Sequence, residues 1–243
     1  MELKGRVVLV TGAARRVGRA LALRLAEAGC NLAIHYRRST EAAADTAQAC
    51  RTRGVEAEVF QADFRAPDAA ERLVQSVLTR FGRLDVLINN AAVFERMSIE
   101  EFELDAWERV LRVNLTAPMT LTHAAAEALR HAGGRVVNLC DAATARPWPG
   151  HLGYIVSKGG LETLTKALAR ALAPEVNVVG IAPGVAAWPE DYDQETRDRL
   201  TAKIPLKRAG KPEDVAAAVH FVLREGDYLS GVIIPIDGGR SAV

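Results

Sequence analysis

Short β-branched runs alternate with longer amphipathic stretches along this whole chain, and that alternation limits the fold more than any other feature. The runs are 6–12 (RVVLVTG), 31–36 (NLAIHY), 56–62 (EAEVFQA), 84–90 (LDVLINN), 134–140 (GRVVNLC), 176–184 (VNVVGIAPG) and 231–239 (GVIIPIDGG). Most are continuously apolar, as strands are when both faces of a parallel sheet are covered. The stretches between them, such as 18–29 and 41–54, repeat apolar residues three and four apart, which is helical spacing. The pattern predicts an α/β fold: one doubly wound, parallel, seven-stranded sheet with helices on both faces. With 243 residues and no linker, charge run or low-complexity segment, a single domain over 1–243 is expected.

Local signals place several helix starts. A first helix is expected over 17–28. Ser39 or Thr40 can cap the second, with Glu41 near its positive end. Pro67–Asp68 opens a third, and Lys211–Pro212–Glu213–Asp214 a late one. The most irregular segment, 183–205, follows a strand and therefore hangs over the carboxyl edge of the sheet, where ligands bind in open α/β folds. It reads either as a substrate-covering loop with a short helix or as an incidental long connection.

Composition excludes several classes of function. A net charge of +1 gives no global field for nucleic acid or an anionic membrane. No stretch approaches the roughly 18 apolar residues of a membrane span. The first apolar run is too short for a signal-peptide core, so a cytoplasmic location is expected. Cys30, Cys50 and Cys140 lie far apart, without ligand or redox spacing. His123, His131, His151 and His220 show no metal spacing either, so no metal is expected.

The segment TGAARRVG (11–18) has the form of a phosphate-binding loop between a strand and a helix. This is the Rossmann-type arrangement, in which helix N–H groups face an anion. Gly12 permits the tight turn, and Gly18 permits close approach. Arg16 stands where the commonest form of the loop has another glycine. The second strand ends in His35–Tyr36–Arg37–Arg38–Ser39. An acidic residue here would bind the ribose hydroxyls of NAD; two guanidinium groups and a hydroxyl suit the 2′-phosphate of NADP instead. The alternative is two solvated arginines on a loop. Asp63, after the third run, either accepts from the adenine amino group or caps its own loop.

Tyr154 and Lys158 stand four apart, on one face of a helix. An adjacent ammonium favours the phenolate and helps the phenol act as an acid near neutrality. With VTGAARRVG, NNAA (89–92), VNL around Asn114, YIVSK, IAPG (181–184) and IDGG (236–239), the chain resembles the short-chain dehydrogenase/reductase family from end to end. The resemblance implies that Tyr154 donates a proton, that Lys158 lowers its pKa and holds the nicotinamide ribose, and that Asn114 supports a proton-relay water. It also implies cofactor contacts from Gly12, Arg16, Gly18, the 35–39 strand end, Asp63, Asn90, Tyr154, Lys158, Pro183 and Gly184. An idle dinucleotide-binding module would commonly lack the tyrosine or the lysine, and both are present.

Two departures stand out. Asp141 occupies the place of a serine that the family usually has thirteen residues before the tyrosine. An ionised carboxylate only accepts hydrogen bonds. It would repel a ketone oxygen as negative charge grew there, and it raises the pKa of the phenol. Such a site suits a substrate offering N–H groups and a C=N bond. Arg16, the second departure, has a planar fork that can bond ring nitrogens or a carbonyl, or serve the cofactor phosphates alone. Phe94 follows directly off a strand end, either to stack on a flat heterocycle or to pack the loop. Loop TGxxxRxG, strand end HYxxS, NNAxxF and D-x12-Y-x3-K are together similar to the pteridine reductase branch and related dihydropterin reductases. This resemblance implies NADPH-dependent reduction of a pterin or dihydropterin at C7 or C6 of the pyrazine ring. Asp141 and Tyr154 would assist protonation, Arg16, Phe94, Asp141 and Tyr154 would line the substrate site, and the assembly would be a homotetramer built through helices around 105–131 and 152–173. The alternative is a reductase of ketones, 3-oxoacyl thioesters or sugars. Trp148 and Trp188 belong to loops whose roles spacing does not assign.

Overall fold

A computed structural model describes residues 1–188 and 192–242. Among these, the strands are β1 (Val7–Val10), β2 (Asn31–Tyr36), β3 (Ala57–Gln61), β4 (Val86–Asn89), β5 (Arg135–Leu139), β6 (Asn177–Pro183) and β7 (Ile233–Ile236). They form one parallel sheet in the order β3-β2-β1-β4-β5-β6-β7. The helices are α1 (Arg16–Glu27), α2 (Thr40–Arg51), α3 (Ala69–Phe81), α4 (Leu104–Leu111), α5 (Ala117–Ala132), α6 (Leu152–Ala171), α7 (Gln194–Ala202) and α8 (Pro212–Glu225). The single Rossmann-type sheet expected from the sequence is present, with helices on both faces.

Each face of the sheet carries its own core. Leu21 of α1, Ala43 of α2 and Val219 of α8 pack on one face with Val8, Val10 and Ile34. Val74 of α3, Leu121 of α5 and Leu168 of α6 pack on the other with Leu9, Leu87 and Val136. The central strands β1, β4 and β5 are buried at every position, which is why they are largely apolar. Their buried polar residues are paired, Asn89 Nδ2 donating to Asn138 Oδ1 at 2.8 Å and Arg135 Nη1 to the Val222 carbonyl at 2.9 Å. The edge strands β3 and β7 are only half-buried. Asp85, at the foot of β4, is fully buried and accepts from Val7 N (2.9 Å), Arg6 Nη1 (2.7 Å) and Arg83 Nη2 (2.6 Å), so its charge is paired and saturated. No helix among the described residues is long and apolar enough to cross a membrane.

Several expectations need correction. Ser39 and Asp68 occupy N-cap positions of α2 and α3, but neither side chain makes a capping bond. The helix expected around 105–131 is broken by a π turn over Arg112–Thr116. Pro118 has no N–H to give the Asn114 carbonyl, so the helical ladder widens there. The irregular 183–205 segment does contain a short helix, α7, whose N-cap Asp193 accepts from Thr196 N at 2.8 Å. Residues 189–191 of that segment lie outside the described ones.

Strand order reverses between β1 and β4, which opens a crevice at their carboxyl ends. The loops after β1, β4, β5 and β6 all meet there.

Candidate active site

The glycine loop is locked from beneath by a histidine. Gly12, with φ +66, donates its N–H to His35 Nδ1 at 3.0 Å, and His35 Nε2 lies 3.1 Å from the Ala62 carbonyl. Because Gly12 is the donor, Nδ1 carries no proton and Nε2–H donates to Ala62. The ring stacks on Phe64 at 4.5 Å. Burial pushes the imidazole down from 6.5 to about 4. Asn90 braces the same loop from the other side, with Nδ2 donating to Thr11 O (2.8 Å) and Gly12 O (3.2 Å). Gly18 must be glycine, since a Cβ there would lie 2.2 Å from the Gly12 carbonyl oxygen.

The pKa of His35 sets a pH dependence. The folded state prefers the neutral ring, so its contribution is complete above 6.5 and is lost as pH falls through about 4. About 3 kcal/mol of unfolding free energy is expected to disappear across that window. Chemical denaturation at a series of pH values should show this slope in the native protein and a flatter one in His35→Gln. Equal slopes would remove His35 as the cause.

A groove of about 480 Å³ runs over this loop, lined by Gly12, Arg15, Arg16, Gly18, Arg37 and Asp63, and reaches Asn90, Tyr154, Lys158, Pro183 and Gly184. Three guanidinium groups and a helix start give this groove the donor set for a dinucleotide's phosphates. Of the rest of the β2 strand end, His35 also lines the groove. Tyr36 is buried in the core beneath, and exposed Arg38 and half-buried Ser39 lie outside the groove lining. Tyr36 faces away from His35 because neighbouring side chains on an extended strand point to opposite sides; β2 ends at Tyr36, so this alternation does not govern Arg38 and Ser39. Asp63 accepts from Arg65 Nε (2.9 Å) and Arg65 N (3.1 Å), which holds its carboxyl at about 2. Its loop-capping role is therefore present in the structure.

At the far end of the groove stands the reactive cluster. Tyr154 and Lys158 lie on the buried face of α6. Tyr154 Oη donates to Asp141 Oδ2 at 2.5 Å, and Asp141 Oδ1 accepts from Ala143 N at 2.8 Å, capping a 3-10 turn over Ala142–Ala145. Burial first, and the Asp141 carboxylate second, hold the phenol well above its ordinary value. Lys158 Nζ is 5.8 Å from the Tyr154 ring centre and donates to Leu139 O at 2.6 Å; burial pushes its ammonium down. The pair Tyr154–Asp141 thus holds one proton on a short bond at the cavity floor. The π turn aims Asn114 inward. Its Oδ1 accepts from Val93 N (2.8 Å), while Nδ2 donates to Val93 O (2.9 Å) and Ser157 Oγ (3.1 Å). Asn114 therefore ties the β4 loop to α6 directly beneath the cluster.

Beside the groove opens a second cavity of about 660 Å³, shared by Arg16, Phe94, Asp141, Tyr154, Trp148 and Trp188. Phe94 packs edge-on against Tyr154 (4.8 Å) and stacks on His151 (4.4 Å). Arg16 has φ +50, a left-handed backbone that glycine favours, and Nη2 donates to the Trp188 carbonyl on the 183–205 loop. His151 and Arg240 also line this cavity and were not singled out from the sequence. The only signal for Arg240 was its place immediately after IDGG. Among the described residues no group of His, Cys, Asp and Glu could hold a metal ion, and all three cysteines are buried and unpaired.

Comparison with known proteins identifies the family. A family model described as enoyl-(acyl carrier protein) reductase covers residues 12–241. The chain is 33% identical over 236 residues to a 3-oxoacyl-(acyl-carrier-protein) reductase of Staphylococcus aureus, covering 95% of this chain and 96% of the relative. It is similar at 31% identity and TM-score 0.93 to a blue fluorescent protein from a metagenomic library, whose crystal structure contains NADPH, with 99% of each chain covered. A Serratia marcescens short-chain dehydrogenase/reductase variant gives TM-score 0.93 at 32% identity, covering 99% of this chain and all of the other. The acceptor in the relative's name is a 3-oxoacyl-(acyl-carrier-protein), which agrees with the alternative expectation rather than with the pterin one. The fold, the crevice and the matched length together make the chain an oxidoreductase of the short-chain dehydrogenase/reductase family.

Proposed function

We propose that this chain reduces a pterin or dihydropterin at a C=N bond, with NADPH as the reductant. The single observation that carries the reading is the Tyr154–Asp141 hydrogen bond at 2.5 Å on the cavity floor. It places a fixed acceptor where a ketone reductase needs a donor. A ring N–H satisfies that acceptor, and a ketone oxygen is repelled by it.

When bound, the reduced nicotinamide supplies a hydride to the ring carbon. The chain's own residues do the rest. Arg37, and Arg15 with Arg16, supply cationic forks in the groove for the 2′-phosphate and the bridging phosphates. Lys158 lies beneath the tyrosine, and its charge favours transfer of the phenol proton. Tyr154 delivers that proton to ring nitrogen, and Asp141 accepts a neighbouring N–H. Addition of H⁻ at carbon and H⁺ at nitrogen turns C=N into CH–NH with no other co-reactant. Phe94, stacked on His151 on one side, supplies an aromatic wall for the heterocycle, and Arg16 lines the same cavity. Exposed Met119 on α5 and Val156 on α6 leave apolar surface on the two helices through which a homotetramer would form.

A second reading is reduction of a 3-oxoacyl thioester, a ketone or a sugar. It is favoured by the 33% identity to a 3-oxoacyl-(acyl-carrier-protein) reductase. Initial rates with dihydrobiopterin, dihydromonapterin, oxidised biopterin, diacetyl and an acetoacetyl thioester, each with NADPH and with NADH, separate the two. Turnover of the dihydropterins supports the first reading. Turnover of ketones alone replaces it with the second.

The backbone of Arg16 makes a related prediction. A non-glycine residue in the left-handed region costs about 1 kcal/mol, so Arg16→Gly should unfold no more easily than the native chain and up to about 1 kcal/mol less easily. The same change should raise KM for the acceptor about 10-fold by removing a charged hydrogen-bond donor. Urea titration and steady-state kinetics on one preparation read both. A less stable variant with unchanged KM would make Arg16 a purely structural residue.

A further inference from the structure

We infer that Arg240 selects acceptors carrying an anionic group, a carboxylate or a phosphate, at the end of the molecule remote from the reacting ring. The inference rests on reading the 660 Å³ cavity as the acceptor site, and it deepens that reading by naming the substrate's charge.

The placement of Arg240 comes from the IDGG motif. Gly238 and Gly239 both take left-handed backbone, with φ +66 and +86. The Asp237 carboxylate then reaches over the turn and accepts from Gly239 N (2.9 Å) and Ser241 N (2.6 Å). A Cβ on Gly238 would lie 2.8 Å from Ile204 Cγ2, so the turn is seated closely on the segment after α7. This rigid turn carries Arg240 to the cavity wall, where its guanidinium lies over the Trp148 ring at 5.3 Å. Trp148 meets Phe94 edge-on at 6.2 Å, and Phe94 meets Tyr154 at 4.8 Å. Arg240 therefore closes a row of rings that begins at the proton donor.

Among the described residues the charges around the cavity are unbalanced. Asp141 already accepts from Tyr154 and from Ala143 N. Arg16 donates to the Trp188 carbonyl. Arg240 has no carboxylate partner among the described residues; it has only the face of Trp148. The cation–π contact holds the guanidinium beside Trp148 and uses none of its N–H donors in an ion pair among the described residues, so they can serve a planar or tetrahedral anion. Arg240 lines the cavity of Phe94 and Tyr154 and is absent from the lining of the groove over the glycine loop.

Matched pairs of acceptors test this. Dihydroneopterin against its phosphate monoester gives the phosphate arm, and dihydrofolate against its dimethyl ester gives the carboxylate arm. Acetoacetyl-CoA against the uncharged N-acetylcysteamine thioester gives a ketone arm. The readout is the ratio of kcat/KM, charged over neutral, in the native protein, Arg240→Met and Arg240→Lys. Native protein should favour the charged member, with the preference fading as salt rises. Arg240→Met should lower the ratio about 10- to 100-fold, and Arg240→Lys by less. A drop confined to one pterin arm names the anion. If only the ketone pair is turned over and its ratio still collapses in Arg240→Met, the pterin reading fails and the role of Arg240 stands. Ratios that are equal in all three proteins overturn the inference.

Discussion

Replacing Tyr154 by phenylalanine lowers kcat about 100- to 10,000-fold for whichever acceptor proves active. The variant keeps the ring that packs edge-on against Phe94 at 4.8 Å and loses only the hydroxyl. No other proton donor replaces it. Lys158 lies beneath the ring, with its ammonium donating to the Leu139 carbonyl at 2.6 Å. Asp141 is an acceptor unless protonated. The loss should therefore fall on the chemical step, visible in single-turnover rates, while fluorescence titration still shows cofactor binding. Retention of more than about a tenth of native kcat would mean that the proton comes from elsewhere, with Asp141 the first alternative.

Replacing Asp141 by serine has the second large effect, and it separates the two acceptor classes. Serine both donates and accepts, so the cavity floor gains a donor for a carbonyl oxygen and loses the fixed charge that repels it. Ketone turnover should rise, and dihydropterin turnover should fall about 100-fold or more, the range for a missing charged partner at a reacting centre. The tyrosine also changes. In the native chain burial and the carboxylate together hold the phenol high, so it stays protonated far above neutral pH. With the carboxylate gone one of those two causes is removed, the phenol ionises at lower pH, and the alkaline limb of the kcat/KM profile moves toward neutrality. If neither the acceptor ratio nor the alkaline limb moves, Asp141 merely caps the turn through Ala143 N.

Much of the site was legible because it is written in local spacing. Tyr154 and Lys158 share a face since a helix repeats every 3.6 residues, and Gly12 and Gly18 sit where a strand-to-helix turn needs them. At the strand end HYRRS local spacing carries less. His35 and Arg37 line the groove while Tyr36 is buried in the core, because the sides these residues take depend on the strand's pleat and on what packs beneath it. The π turn at Arg112–Thr116 was missed because helical periodicity reads straight through a single widened turn.

By itself the sequence determined the alternation of strands and helices, the parallel sheet, the phosphate-binding loop and the Tyr–Lys pair. All of these are fixed by periodicity and by backbone preferences that act within a few residues. The tertiary structure alone decided that Asp141 bonds to Tyr154, that His35 locks Gly12, that Arg16 accepts a left-handed backbone to reach the Trp188 carbonyl, and that Arg240 arrives over Trp148. Those contacts join residues on different loops, and only the packing of both cores onto one twisted sheet brings such loops together at its carboxyl edge.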